Sequence, residues 1–146
     1  MAVIAGISED SGLETYLLHP RAIKTEEYLQ FLEKLKEKYP DERILLFIDN
    51  LSVHKTVDAR AAYERLNITP VFNVPYSPQF NGIESYWSIL KQHYKKLLLY
   101  HLMHEQPVDS VDLIESSVKR VPAQLVKNCA RDGREQIEDE ILKQLI

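Results

Sequence analysis

Cysteine is nearly absent from this sequence. The single cysteine, Cys129, excludes an internal disulfide framework and fits a reducing compartment. Glycine is scarce as well. The four glycines, Gly6, Gly12, Gly82 and Gly133, form no phosphate-cradling pattern, which argues against a nucleotide-binding loop. Long hydrophobic runs are missing. The longest, Ile44–Ile48 and Leu97–Tyr100, fall far short of the roughly 18 apolar residues that a membrane helix needs. There is no surplus of positive charge: 18 Lys and Arg stand against 22 Asp and Glu, giving a net charge of −4 and a pI of about 5.7. Taken alone, that balance argues against a free-standing nucleic-acid binder. The first residues, Met1-Ala2-Val3-Ile4-Ala5-Gly6, have no basic segment ahead of a long apolar one, so no signal peptide is expected. What remains is an ordinary globular composition. The chain has 146 residues, 45% hydrophobic and 27% charged, enough for one domain with a buried core and no staples.

Hydrophobic patterning predicts an α/β order of β-β-α-β-α-β-α followed by helices. Ala2–Ser8 reads as a buried strand, Glu9-Asp10-Ser11-Gly12 as a turn and Leu13–Leu18 as the returning strand of a hairpin. A helix follows, with Thr25 as N-cap and an apolar stripe of Tyr28, Leu29, Phe31, Leu32 and Leu35. Pro40 ends it, because the residue before a proline disfavours helical geometry. The unbroken run Ile44–Ile48 predicts a strand covered on both faces, as in a parallel sheet. Val57–Leu66 reads as a short helix with Ala61, Ala62 and Leu66 inward, and Thr69–Val74 as the next strand. Together they make a βαβ unit. A long helix is expected from about Asn81 to Tyr100, with its Tyr86, Trp87, Leu90, Tyr94 and Leu97 in the core. Two further helices are expected near Ser110–Val121 and Asp132–Leu145.

Two acids stand out. Asp49 follows directly on the strand Ile44–Ile48, and ligands in open α/β sheets sit at the carboxyl ends of strands. Asp49 is equally a natural turn-former, since its carboxylate can bond its own backbone two residues on. Glu84 opens the long helix. With Asn81 as N-cap, it stands where a carboxylate can close a capping box, and where the helix dipole favours it. Positions 50 to 83, 34 residues, lie between the two acids. One α-β crossover fills that span and can return Glu84 to the strand end that carries Asp49. Two converging carboxylates make a hard-oxygen site suited to Mg²⁺ or Mn²⁺.

The segments Phe47-Ile48-Asp49-Asn50-Leu51-Ser52-Val53-His54 and Val74-Pro75-Tyr76-Ser77-Pro78-Gln79-Phe80-Asn81-Gly82-Ile83-Glu84-Ser85-Tyr86-Trp87-Ser88-Ile89-Leu90-Lys91 resemble the catalytic core of mariner-type transposases and their bacterial insertion-sequence relatives. The resemblance implies a ribonuclease H-like mixed sheet with flanking helices. It makes Asp49 the second and Glu84 the third acid of a DDE/D set that holds Mg²⁺ or Mn²⁺. It implies DNA as partner, both transposon ends and target, with a homodimer and no membrane. Eukaryotic members act in the nucleus and bacterial ones in the cytoplasm. Gly82 departs from the family, many of whose members carry proline there.

The resemblance also implies a gap. The family's first Asp lies on the first, central strand, whereas Ala2–Leu18 resembles the second and third. No residue here matches that Asp, and Glu9 and Asp10 belong to a solvated turn. The expected architecture is a partial catalytic domain over residues 1–106, its first strand missing, and a helical extension over 107–146. The sheet is then either split or rearranged. The implied activity is metal-dependent DNA cleavage and strand transfer, incomplete in this chain. The alternative is a catalytically inactive transposon-derived remnant that keeps an interaction or DNA contact.

His54 takes a motif position suited to DNA contact or to support of the metal site. Ser88 and Lys91 share a helix face with Glu84, and Lys95 and Lys96 extend a basic edge for phosphate contact. Tyr76 and Ser77 are candidates to approach DNA. His101 and His104, next to Glu105, are not in a zinc-protease order and read as surface residues; Cys129 reads as a buried or incidental thiol.

Overall fold

A computed structural model describes residues 1–145. Strands β1 (Ala2–Ser8) and β2 (Gly12–His19) form an antiparallel hairpin with Ala2 opposite His19 and Ser8 opposite Gly12. A bulge falls between Gly6 and Ile7. Gly12 ends the turn at φ +80°, a conformation that side chains other than glycine's resist. Helix α1 (Thr25–Lys38) buries Tyr28, Phe31, Leu32 and Leu35 of the expected stripe and leaves Leu29 half-buried. Its cap is Lys24 rather than Thr25: the Glu27 carboxylate reaches back to accept from the Lys24 N–H at 2.9 Å.

Strands β3 (Ile44–Ile48) and β4 (Ile68–Phe72) pair in parallel, Ile44 opposite Ile68 and Ile48 opposite Phe72. The crossover between them holds a 3₁₀ turn at Ser52–Lys55 and helix α2 (Val57–Arg65). Thr56 Oγ1 caps α2 by accepting from the Ala59 N–H at 3.1 Å. That start sets the helical phase: Ala59, Ala62 and Tyr63 are buried, and Leu66 follows them inward. Ala61, expected inward, is exposed. Helix α3 (Gly82–Met103) carries buried Tyr86, Leu90 and Leu97. Trp87 and Tyr94 are half-buried. Helices α4 (Ser110–Arg120) and α5 (Ala123–Leu145) complete the chain. α5 starts well before the expected Asp132. Pro122 precedes its first residue, and a proline suits a helix start because its missing N–H has no helical partner there.

The core has two parts. Tyr28, Phe31, Leu32, Ile48, Ala62, Tyr63 and Ile68 pack between α1, α2 and the β3–β4 pair. Tyr86, Leu90, Val118, Val126 and Cys129 pack between the three later helices. Strand β1 serves both. Ile4 packs on the first cluster, while Ala5 and Ile7, on the opposite face, pack on the second.

The sheet is split. Among the described residues β1 pairs only with β2 and β3 only with β4. Each strand therefore keeps one free edge, and the free edges of β1 and β3 border a single cavity of about 680 Å³. Val3–Ile7 and Leu45–Asp49 line it residue after residue. A strand face would contribute every second residue, so five in succession mark an edge. The expected two-sided cover of β3 is corrected: Ile44, Leu46 and Ile48 turn to the first core cluster, whereas Leu45, on the other face, is 69% exposed.

Candidate active site

Asp49 stands one residue beyond β3. Its Oδ1 accepts from the Leu51 N–H at 3.3 Å, and His54 Nδ1 lies 2.9 Å from the same oxygen. The turn-forming role of Asp49 is thus realised, but on one oxygen. Oδ2 has no hydrogen-bond partner among the described residues. His54 is buried, its ring 4.6 Å from that of Tyr28, centroid to centroid. It faces Asp49 from inside the domain.

The neighbouring Asn50 clasps the other strand of the pair. Its amide Nδ2 donates to the Asn73 carbonyl, and Lys55 Nζ donates to its Oδ1 at 2.8 Å. Asn73 in turn donates its backbone N–H to Ile48 O at 2.8 Å and its side-chain amide to Ser77 O at 2.8 Å. The strand end that carries Asp49 is therefore tied to the loop that leads to Glu84. The Asn73 side-chain carbonyl oxygen is buried and unbonded among the described residues.

That loop is stiff. Pro75 and Pro78 fix two φ angles, and a 3₁₀ turn spans Pro78–Phe80. Tyr76 sits at φ +59° with its ring fully exposed, an uncommon backbone state for a bulky residue. Ser77 is half-buried.

Glu84 lies in the first turn of α3, where Asn81 Oδ1 caps by accepting from the Ile83 N–H at 3.4 Å. The capping box is not closed. The Asn81 N–H is already committed to Pro78 O at 3.0 Å, and the Glu84 carboxylate bonds to nothing among the described residues. Glu84 is exposed. The α3 start, Asn81–Ile83, lines the same cavity as Asp49, although the Glu84 side chain does not. Ser88, Lys91, Lys95 and Lys96 are exposed farther along α3. No group of three or more His, Cys, Asp or Glu side chains among the described residues is placed to hold a metal ion. Of the two acids that the sequence picks out, Asp49 lines the cavity and Glu84 does not; Glu138 of α5 lines it as well.

The family model described as DDE superfamily endonuclease matches residues 1–101. The chain belongs to this family. The fold of this DDE domain is the ribonuclease H-like fold of solved transposase catalytic domains. The catalytic domain of the Mos1 mariner transposase is 18% identical, with 93% of this chain and 70% of that chain covered and a TM-score of 0.63. The same catalytic domain with raltegravir and Mg gives a TM-score of 0.64 at 18% identity, covering 93% of this chain and 71% of that one. The Mos1 transposase paired-end complex with left transposon end gives 0.63 at 21% identity, covering 93% of this chain and 41% of that chain. A comparison with curated proteins finds no match.

Three features of this DDE domain lie outside what its sequence announces. Asn73 could have been found as a second Asn directly beyond a strand of a parallel pair, matching Asn50. The bond between the hydroxyls of Tyr28 and Tyr63 could not, because Tyr28 reads simply as core and nothing in the pattern turns Tyr63 toward it. Glu9, read as a solvated turn residue, is held by two bonds of 2.7 Å from Arg134 of α5.

Proposed function

We propose that Asp49 and Glu84 are the second and third acids of a DDE transposase catalytic domain, and that the chain acts on transposon-end DNA. One observation carries this reading. Asp49 Oδ2 and the Glu84 carboxylate are both left without partners, on two segments that the Asn50–Asn73 clasp ties together. Hard carboxylate oxygens without a structural bond are the donors that Mg²⁺ or Mn²⁺ takes. Asp49 and Glu84 would hold such ions, which would supply activation of an attacking hydroxyl and stabilisation of the leaving oxygen. His54 supports Asp49 from the buried side, and Ser88, Lys91 and Lys95 meet phosphates. The exposed ring of Tyr76 and the neighbouring Ser77 contact DNA.

The finer reading is that the acid set is incomplete in these residues. The absence of a three-acid cluster among the described residues supports it, as do the two free strand edges on one apolar cavity. An extended segment laid between β1 and β3 would join the half-sheets and bring its own side chains beside Asp49. These observations also favour a second reading, a remnant that grips DNA without cutting it.

A cleavage assay on duplexes carrying the element's terminal repeats, with Mg²⁺ or Mn²⁺, tests both. Cleavage lost in Asp49→Asn and in Glu84→Gln supports the enzyme. Binding without cleavage supports the remnant. Cleavage indifferent to both substitutions overturns the site.

A further inference from the structure

Behind Asp49 lies a run of buried polar atoms, of which the proposed chemistry uses only the His54 imidazole. Tyr28 of α1, Tyr63 of α2 and His54 of the 3₁₀ turn are all buried. The Tyr63 hydroxyl is 2.7 Å from the His54 carbonyl oxygen. A carbonyl only accepts, so Tyr63 spends its one hydrogen there. The Tyr28 and Tyr63 hydroxyls are 2.7 Å apart. With the Tyr63 hydrogen already committed, Tyr28 must donate to Tyr63. The chain thus has one direction, Tyr28 to Tyr63 to the His54 backbone, and it ends on the turn that presents the imidazole.

The imidazole is fixed in the same way. Nδ1 lies 2.9 Å from Asp49 Oδ1 and 3.3 Å from the Asp49 carbonyl oxygen. Both neighbours are acceptors, so Nδ1 carries a hydrogen. The Tyr28 ring packs against the imidazole at 4.6 Å and 40°. One tyrosine therefore holds the ring by its face, and the other holds the backbone of the same residue.

We infer that Tyr28 and Tyr63 are positioning residues for the Asp49 carboxylate, acting through His54. They set the His54 turn so that its N–H engages Oδ1 and leaves Oδ2 for a cation. The inference rests on the reading of Asp49 as a metal-holding acid. Partners one shell out commonly fix the orientation of a metal-binding group in this way. Burial holds both phenols above their ordinary range, with the Tyr63 hydroxyl and the Asp49 charge adding to the effect on Tyr28. Both tyrosines therefore stay neutral donors.

The test uses the full chain with Tyr63→Phe and Tyr28→Phe, which keep the rings and delete the hydroxyls. Long-range proton–nitrogen spectra of the metal-free protein read the His54 nitrogens directly. The expected result is a protonated Nδ1 in the parent and averaged nitrogen shifts in Tyr63→Phe. Broadening of the Asp49 and His54 amide signals by added Mn²⁺ reads the cation. The Mn²⁺ needed for half-broadening should rise roughly tenfold in Tyr63→Phe, the low end for loss of an outer-shell partner. Tyr39→Phe is the control. Its hydroxyl donates to Glu14 at 2.7 Å, so it should lower the melting midpoint and move neither readout. Folded Tyr63→Phe with parental His54 nitrogens and parental Mn²⁺ broadening overturns the inference. If Tyr63→Phe does not fold, Tyr28→Phe decides by the same two readouts. Broadening unchanged in Asp49→Asn overturns the metal reading instead, and the metal-free spectra still decide the positioning.

Discussion

Gly82 and Gly133 meet backbone to backbone where α3 starts against the middle of α5. A Cβ on Gly133 would stand 2.8 Å from the Gly82 nitrogen and 3.2 Å from its Cα. A Cβ on Gly82 would run into the Cys129 carbonyl. The two helices approach this closely only because neither residue has a side chain. The α3 start, and with it Glu84, is set by that approach.

Gly82→Ala should therefore destabilise the domain by about 1–3 kcal/mol, the usual cost of overpacking. Backbone atoms cannot rotate out of the way as a flexible side chain can. Chemical denaturation of the two proteins measures the difference. A variant as stable as the parent would show that the helices separate at little cost.

Asn50→Ala removes the donor to the Asn73 carbonyl and should cost about 1 kcal/mol, the net worth of one hydrogen bond. Its larger effect is local. The loop over residues 74–81 loses its tie to the β3 end, so limited proteolysis should cut there sooner than in the parent. Unchanged cleavage in that loop would show that the Asn73–Ser77 bond alone is sufficient.

Glu14 gives the acid limb of the stability curve a specific cause. Burial by itself raises its pKa. The donors Lys38, Ser8 and Tyr39 outweigh burial and hold the carboxyl below its ordinary 4.5. The native state then binds this proton less readily than the unfolded chain. The stabilisation is present above about pH 4.5 and is lost as pH falls through the lower folded value. Glu27 shifts in the same direction through the Lys24 backbone N–H. Glu14→Gln should thus melt lower than the parent near neutrality, with the gap closing below pH 4.5. A constant gap across that range would count against the assignment.

The cavity between the half-sheets predicts a gain in stability. A chain lengthened ahead of Met1 by an extended apolar segment able to lie between β1 and β3 should melt roughly 5 °C or more above the parent, as about 2 kcal/mol does at this size. Equal midpoints would mean that the free edges are satisfied without it.

Much of this was legible in the sequence. The stripe Tyr28, Phe31, Leu32 and Leu35 fixed both the existence and the inward face of α1. The run Ile44–Ile48 defined β3 residue for residue, and the motif placed Asp49 just beyond it. Ala61 misled because two adjacent alanines satisfy a helical period equally well, and only the Thr56 cap sets the phase. The early start of α5 was missed although Pro122 marks it; the expected helix already ran through Gly133, which weakens a helix in isolation yet is required by its contact with Gly82. The state of each carboxylate could not be read at all. Asp49 and Glu84 both fit local capping roles, and only the committed Asn81 N–H separates a closed capping box from a free acid.

Arg134 grips Glu9 across 125 positions of sequence. During synthesis at about 5–20 residues per second, the first hairpin emerges roughly 6 to 25 s before the helix that pins it. Through that interval the second cluster lacks Val126 and Cys129, so Ala5 and Ile7 pack against an incomplete core. The order of translation therefore makes the last helix the step that closes the domain. Ribosome-bound chains that stop short of α5 are the ones that expose the hairpin to chaperones.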